Sequence, residues 1–158
     1  MLYGENHAFF ITAPKGWVLD NSSGVNQGLH AVFYPLGGSW QHSPTVMYAN
    51  GIDIDSTETL ESFIDGDIKV FKENHQGINA IEIDSIHVEE CPRVARVVKF
   101  YGGSYPDFES VAYIKELKNI SIFVMSCETE DEYIDNYSKF IELVKSYKNF
   151  GDKVIIKN

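Results

Sequence analysis

The 158-residue sequence has little positive charge, few cysteines and no long apolar run, and each shortage excludes a class of protein. Thirteen basic residues stand against 23 acidic ones, giving a formal net charge of −10. This charge repels nucleic-acid phosphates and anionic lipid surfaces. No apolar stretch approaches the ~20 residues that a transmembrane helix needs. We therefore expect no nucleic-acid partner and no integral membrane span.

Recognisable catalytic and cofactor motifs are also lacking. The sequence contains neither the Gly-x-Ser-x-Gly nucleophile turn nor a glycine-rich strand-to-helix turn of a dinucleotide fold. We therefore predict that the protein is not an enzyme and has no cofactor. The alternative is an enzyme with an unrecognised site, which needs a deep cleft with convergent titratable groups.

A metal site is not predicted either. No two histidines stand at metal-ligand spacing among His7, His30, His42, His75 and His87. The acidic stretch from Asp53 to Asp67 has Glu58 where a calcium loop needs glycine and Ile64 where it needs glutamate. We interpret that stretch as N-capping plus a solvated helix face.

The two cysteines, Cys91 and Cys127, are predicted to be free thiols. If 94–101, 108–116 and 120–127 form a meander, the two residues lie beyond opposite ends of it. About nine residues at ~3.3 Å each then separate them, far beyond the ~4.4–6.8 Å between Cα atoms that a disulfide spans.

The apolar patterns predict an α+β fold. Hydrophobic residues make up 44% of the chain, and its length favours one domain, which we place at 1–150 with a tail at 151–158. In that tail, Val154-Ile155-Ile156 is a stray edge strand or disordered. Strands are predicted at 7–13, 29–34, 45–53, 78–88, 94–101, 108–116 and 120–127.

Two helices complete the predicted order β-β-β-α-β-β-β-β-α. The first follows an Asp55-x-x-Glu58 capping box, and the second follows a Thr129-x-x-Glu132 capping box. Both carry apolar residues at helical spacing. We expect an antiparallel sheet of six to seven strands with the two main helices packed on it, an αβα sandwich.

Two loops of the sequence are similar to each other. Gly37-Gly38-Ser39-Trp40 is followed by Val46 and Tyr48, and Gly102-Gly103-Ser104-Tyr105 is followed at the same offsets by Val111 and Tyr113. Paired glycines permit tight hairpin tips. If the first helix returns antiparallel to the strand before it, both tips emerge at the same end of the sheet.

Such tips predict a recognition rim. The candidate binding residues are Ser39, Trp40, His42, Ser104, Tyr105 and Asp107, because exposed aromatic side chains at a rim are effective contact residues. The alternative is that glycine serves only the tight turns and that Trp40 folds back over the sheet.

The two ends of the chain carry a resemblance to a known family. The opening Phe9-Phe10-Ile11-Thr12-Ala13-Pro14-Lys15-Gly16-Trp17 and the terminal amphipathic helix from Tyr137 to Tyr147, with the strand order between them, resemble the PsbP-like superfamily. That superfamily includes DcrB-like envelope proteins and Mog-type Ran-binding proteins. The two Gly-Gly-Ser-aromatic tips are not a feature of this resemblance.

The resemblance implies an antiparallel sheet with helices on both faces and a non-enzymatic role. We therefore expect a binding or accessory protein of the bacterial cell envelope or a secretion pathway, with a protein or peptide partner. The opening residues, with Glu5, Asn6 and His7, cannot form a signal-peptide core; a periplasmic or extracellular location implies a removed leader. The alternative is a cytoplasmic adaptor, effector chaperone or immunity protein that binds a basic partner.

Overall fold

The computed structural model describes residues 1–4, 7–88 and 92–151. Within these ranges the chain forms ten strands, two α-helices and one 3-10 helix. The helices are α1 (Leu60–Asn74) and α2 (Glu130–Lys145), and the 3-10 helix is Val25–Gln27. The strands are β1 (Leu2–Tyr3), β2 (Ala8–Phe10), β3 (Trp17–Asp20), β4 (Val32–Pro35), β5 (Thr45–Asp53), β6 (Asn79–His87), β7 (Val94–Tyr101), β8 (Phe108–Lys115), β9 (Asn119–Cys127) and β10 (Lys148–Gly151).

A seven-stranded antiparallel sheet forms the centre of the molecule, in the order β3-β4-β5-β9-β8-β7-β6. Strand β9 lies in the middle of this sheet, and it pairs along its whole length with β5 and over most of it with β8. Its nearly continuous apolar sequence suits a strand covered on both faces. The predicted α+β class, the strand number and the two packed helices are confirmed.

The two helices cover opposite faces of the sheet. Helix α1 packs with Val98, Val111 and Val124 on one face, which we call the α1 face. Helix α2 packs with Val97, Ala112 and Phe123 on the other face, which we call the α2 face. Successive strand residues point to opposite faces, so each strand contributes to both cores.

The first predicted strand, 7–13, is shorter than expected and lies elsewhere. Only Ala8–Phe10 forms a strand, and it pairs with β1 and β10 in a separate three-stranded sheet. The reason is packing of Phe9, whose ring lies 5.3 Å from that of Tyr147 and 6.2 Å from that of Phe123. Trp17 begins strand β3 of the main sheet, which is not among the predicted strands.

The start of α1 is also corrected. The predicted capping box at Asp55 is wrong, because the carboxylate of Asp55 accepts from the backbone and hydroxyl of Thr57 in a local turn. The N-cap is Thr59, which forms a reciprocal capping box with Ser62. Thr129 is the N-cap of α2 as predicted, although the carboxylate of Glu132 accepts from Thr45 at 3.0 Å.

Three further sequence predictions concern the two cysteines, the C-terminal tail and the lack of a membrane span. Cys127 is buried with a free thiol, and burial raises its pKa to about 11. Cys91 and the tail segment Val154-Ile155-Ile156 lie outside the described residues. Neither helix in the described ranges is long and apolar enough to cross a membrane.

Candidate functional site

Both Gly-Gly-Ser tips emerge at the same end of the sheet, as predicted. Thr45 and Phe108 are both paired with Cys127 at the end of β9, so the first residues after the two tips lie in one row. Only β9 separates β5 from β8, and strands are spaced by about 4.8 Å, so these two strands lie about 10 Å apart. The two tips therefore lie on either side of the C-terminal end of β9, at the same end of the sheet.

Trp40 at the first tip folds back onto the α1 face. Its indole packs edge-to-face on Tyr48, with ring centroids 6.4 Å apart, and its Nε1 donates to Gln27 Oε1 at 3.0 Å. The side chain remains partly exposed. The alternative interpretation is thus correct for the direction of Trp40, yet its ring is not sealed inside the protein.

Tyr105 at the second tip lies on the same face. Its ring contacts those of His75 and Phe71, with centroids 4.7 and 5.8 Å away. Its hydroxyl donates to Glu109 Oε2 at 2.7 Å. Trp40 and Tyr105 therefore approach the α1 face from the two tips, with Tyr48 and Glu109 between them.

The remaining predicted site residues play smaller structural parts. His42 is exposed and its Nδ1 lies 3.2 Å from Ser39 Oγ. Ser104 is exposed, and its backbone N–H donates to Gln76 O. Asp107 is half-buried and accepts a long bond of 3.4 Å from Ser126.

The two tips have different backbones despite their similar sequences. Gly103 has φ +62° and lies against the loop after α1, where an added Cβ would sit 2.3 Å from Gln76 O and 2.4 Å from the carbonyl carbon of Gly77. Gly37 has φ +89° and faces open space. The backbone of the second tip thus packs against the loop after α1, whereas Gly37 of the first tip has open space beside it.

We expect Gly103→Ala to destabilise the protein far more than Gly37→Ala. Both substitutions place alanine in the left-handed region, at about 1–2 kcal/mol, but only the first also collides with backbone, which adds about 1–3 kcal/mol. Urea unfolding of the two variants measures the difference. Equal losses of stability would show that the second tip is not fastened to the loop after α1.

A group of buried and half-buried polar side chains lies between the tips on the α1 face. We call it the acidic tyrosine cluster, and it comprises Tyr48, Asp67, Tyr105, Asp107, Glu109 and Tyr113. Asp67 reaches it from α1 and accepts from the Tyr113 hydroxyl at 2.5 Å. Glu109 projects from β8 and is only 7% exposed.

Burial raises the pKa values of three groups in this cluster, and neighbouring negative charges add to the rise at two of them. Burial raises the pKa of Glu109 to about 7; the bond from Tyr105 opposes this rise, and the charges of Asp107 and Asp67 add to it. Burial also raises the pKa of Asp67, against its bond from Tyr113. Burial and then the charges of Glu109 and Asp67 raise the pKa of Tyr48. The cluster therefore holds negative charge where it is unfavourable.

Four members of this cluster are not among the site residues predicted from the sequence, although two of the four had a detectable signal. Asp67 stands three residues after Ile64 and four before Phe71, on the apolar stripe of α1. It is half-buried, so the interpretation of a solvated acidic face is wrong for this residue. Glu109 falls on a strand whose neighbours are otherwise buried. A carboxylate at an inward-facing position of an otherwise apolar pattern is the sequence signal that could have identified Asp67 and Glu109.

Two cavities lie away from the tips. The larger, about 560 Å³, is lined by Met1, Leu2, Gly4, His7, Asn21, Gly28, His30, Asn50 and Gly51, none of which is an activated nucleophile. The other, about 400 Å³, lies beside the C-terminal part of α2 at Ile141 and Glu142. The acidic tyrosine cluster, by contrast, offers hydrogen-bond acceptors, aromatic rings and negative charge, which suit the binding of a positively charged group.

The sequence matches no protein family model and no curated protein. The structure, however, is similar to the solution structure of cyanobacterial PsbP (CyanoP) from Synechocystis sp. PCC 6803, with a TM-score of 0.57 and 17% sequence identity. The match covers 93% of this chain and 95% of that one. At this identity the likeness concerns the fold. The chain therefore has a PsbP-like fold over nearly its whole length.

Proposed function

We propose that the protein is a non-catalytic binding protein that holds a basic segment of a protein or peptide partner on the α1 face between its two tips. The observation that carries this proposal is the combination of partly exposed rings, Trp40 and Tyr48, with a group of carboxylates beside them. Aromatic anchors beside negative charge are suited to lysine- and arginine-containing segments. The net charge of −10 supports the same sign of partner.

The proposal has two versions that differ in compartment. In the first, the protein acts in the cell envelope or a secretion pathway after removal of a leader, as the resemblance to DcrB-like envelope proteins implies. In the second, it is a cytoplasmic adaptor, effector chaperone or immunity protein. Fractionation of the cells that produce the native protein separates the two versions.

Selection from a random peptide library displayed on phage tests the binding function without a known partner. We expect enriched peptides to carry arginine or lysine and to bind more weakly as salt rises, because exposed charges are screened. Trp40→Ala combined with Tyr105→Ala should lower the affinity for the selected peptides by about tenfold or more. Fluorescence titration measures the affinities.

The control is Leu117→Ala, which removes an exposed apolar side chain from the turn at the other end of the sheet. His42→Ala provides a further variant of an exposed rim residue, and it is informative even if the double variant does not fold. Selected peptides that bind wild type and all rim variants equally would rule out the rim. A selection that enriches no basic peptide would rule out the proposed partner class.

A further inference from the structure

Among the described residues, the acidic tyrosine cluster has no lysine or arginine as a counterion. The chain's ion pairs to Arg96 use Glu61 and Glu82, and the pair to Lys69 uses Glu73. Across the part of the chain that the structure describes, no lysine or arginine pairs with Asp67, Asp107 or Glu109. Glu109 and Asp67 thus have tyrosine hydroxyls as their side-chain partners in the described ranges, and Asp107 has the hydroxyl of Ser126.

Within the described ranges, several polar atoms of the cluster also lack hydrogen bonds, among them one oxygen of Glu109 and the hydroxyl of Tyr48. Glu109 accepts from Tyr105 through Oε2 only, and the Tyr48 hydroxyl has no partner in the described ranges. Side-chain polar atoms that are sealed from solvent all have partners in those ranges. Glu109 Oε1 and the Tyr48 hydroxyl are therefore not fully sealed from solvent, although Glu109 as a whole is only 7% exposed. A deeply buried carboxylate thus keeps one oxygen without a hydrogen bond in the described ranges.

The α2 face of the same sheet shows how this chain holds a cation. Lys99 Nζ lies 4.1 Å from the ring centroid of Tyr133, 5.1 Å from that of Tyr101 and 5.6 Å from that of Phe108. The carboxylate of Glu130 is 3.9 Å away. The lysine side chain, only 18% exposed, thus combines ring faces with one carboxylate. The acidic tyrosine cluster has rings and carboxylates but no such cation.

The spread of the carboxylates favours an extended cation over a metal ion. Within the described residues, no three His, Cys, Asp or Glu side chains are grouped closely enough to hold a metal. Asp67 comes from α1, Asp107 from the second tip and Glu109 from β8. A planar guanidinium has five donors in a fixed fork and also stacks on aromatic rings, so it can reach separated oxygens at once.

We propose that the acidic tyrosine cluster is a binding site for an arginine side chain of the partner, with its guanidinium beside Tyr48 and donating to Glu109 and Asp67. This inference deepens the proposed function, since it identifies the group on the basic segment that the α1 face recognises.

The test uses N-acetyl-L-arginine amide as the probe, with N-acetyl-L-citrulline amide as its uncharged counterpart. Backbone ¹H–¹⁵N spectra should show saturable shifts at Tyr48, Asp67 and Glu109 with the arginine probe, and no saturable shift with citrulline. Glu109→Gln and Asp67→Asn should each lower the affinity for the arginine probe by about fivefold to tenfold. Both amides keep an acceptor for the tyrosine hydroxyl that bonds there, so the fold is retained.

Matched controls remove the same charge nearby. Asp65→Asn lies on α1 and Glu128→Gln follows β9 at the tip end, and both side chains are exposed. Neither should change the affinity of the arginine probe. If these controls lower the affinity for the arginine probe as much as Glu109→Gln and Asp67→Asn do, the effect is due to net charge alone. That result would overturn the proposed arginine site. A lysine probe that binds as tightly as arginine would overturn the assignment to guanidinium.

The experiment also separates this inference from the proposed function. If library-selected basic peptides bind through Trp40 and Tyr105 but are insensitive to Glu109→Gln and Asp67→Asn, the arginine site is wrong and the proposed function stands. If the arginine probe binds at the cluster while no peptide depends on the rim, the proposed function is wrong and the arginine site stands.

Discussion

Replacing Glu109 with glutamine should raise the free energy of unfolding by about 3 kcal/mol near pH 8 and change it little near pH 4. Burial holds the pKa of this carboxyl at about 7 in the folded protein, against 4.5 for an ordinary glutamic acid. The folded state therefore binds the proton more tightly than the unfolded state. Stability is lost as pH rises from 4.5 to about 7, and the neutral amide avoids that loss.

Urea unfolding of wild type and variant at the two pH values measures this difference. Glu128→Gln, at an exposed position at the same end of the sheet, is the control and should behave like wild type at both. A Glu109→Gln variant that is less stable than wild type at the higher pH would contradict the account. That result would mean that a cation within the protein already stabilises the carboxylate.

Replacing Arg93 with alanine should lower the free energy of unfolding by about 3 kcal/mol, because it strands a buried carboxylate. Glu116, whose side chain is only 2% exposed, accepts from Arg93 Nη2 at 2.9 Å and from the Tyr147 hydroxyl at 3.0 Å. This contact joins the residue before β7 and the residue after β8 to the end of α2. Without Arg93 only the tyrosine remains as a side-chain partner in the described ranges.

The double variant Arg93→Leu with Glu116→Leu distinguishes the stranded charge from a general packing defect. Replacing both members of a buried pair with apolar residues is often neutral, so we expect the double variant to regain most of the lost stability. Lys69→Ala breaks an exposed pair with Glu73 and should change stability by less than about 1 kcal/mol. A double variant as unstable as Arg93→Ala would contradict this explanation.

The sequence predicted those parts of the fold that depend on local pattern. The apolar run in β9 and the stripe of α2 are periodic signals, and both elements form where that periodicity places them. The common end of the two tips followed from the antiparallel strand order alone. Short-range signals of this kind do not depend on which distant residues meet.

The parts that sequence could not predict depend on distant contacts. Strand β2 leaves the main sheet because Phe9 packs on Tyr147, 138 residues later in the numbering. Gly103 is required by the backbone of Gln76 and Gly77, which the similar loop at Gly37 does not meet. A duplicated sequence therefore does not imply a duplicated environment.

The sequence predicted only part of the candidate site, because the rest of the site depends on contacts between distant residues. The rim residues were found because aromatic side chains follow paired glycines, which is a local sign. Glu109 and Asp67 become notable only through burial and through Tyr105 and Tyr113, and Asp67 and Tyr113 are 46 residues apart. Net charge indicates the sign of the proposed partner but not the position of the carboxylates that we propose bind it.

Both proposals require the acidic tyrosine cluster to carry negative charge that a bound cation neutralises. A ¹³C NMR titration of the Glu109 carboxyl, without and with saturating N-acetyl-L-arginine amide, tests this requirement most directly. The groups that face this carboxyl are Tyr48, Asp67, Tyr105 and Asp107. We expect a pKa of about 7 for Glu109 in the free protein and a lower pKa with the arginine probe, because a bound cation favours the ionised form. A free-protein pKa at or below 4.5, or one that the probe leaves unchanged, would contradict the account.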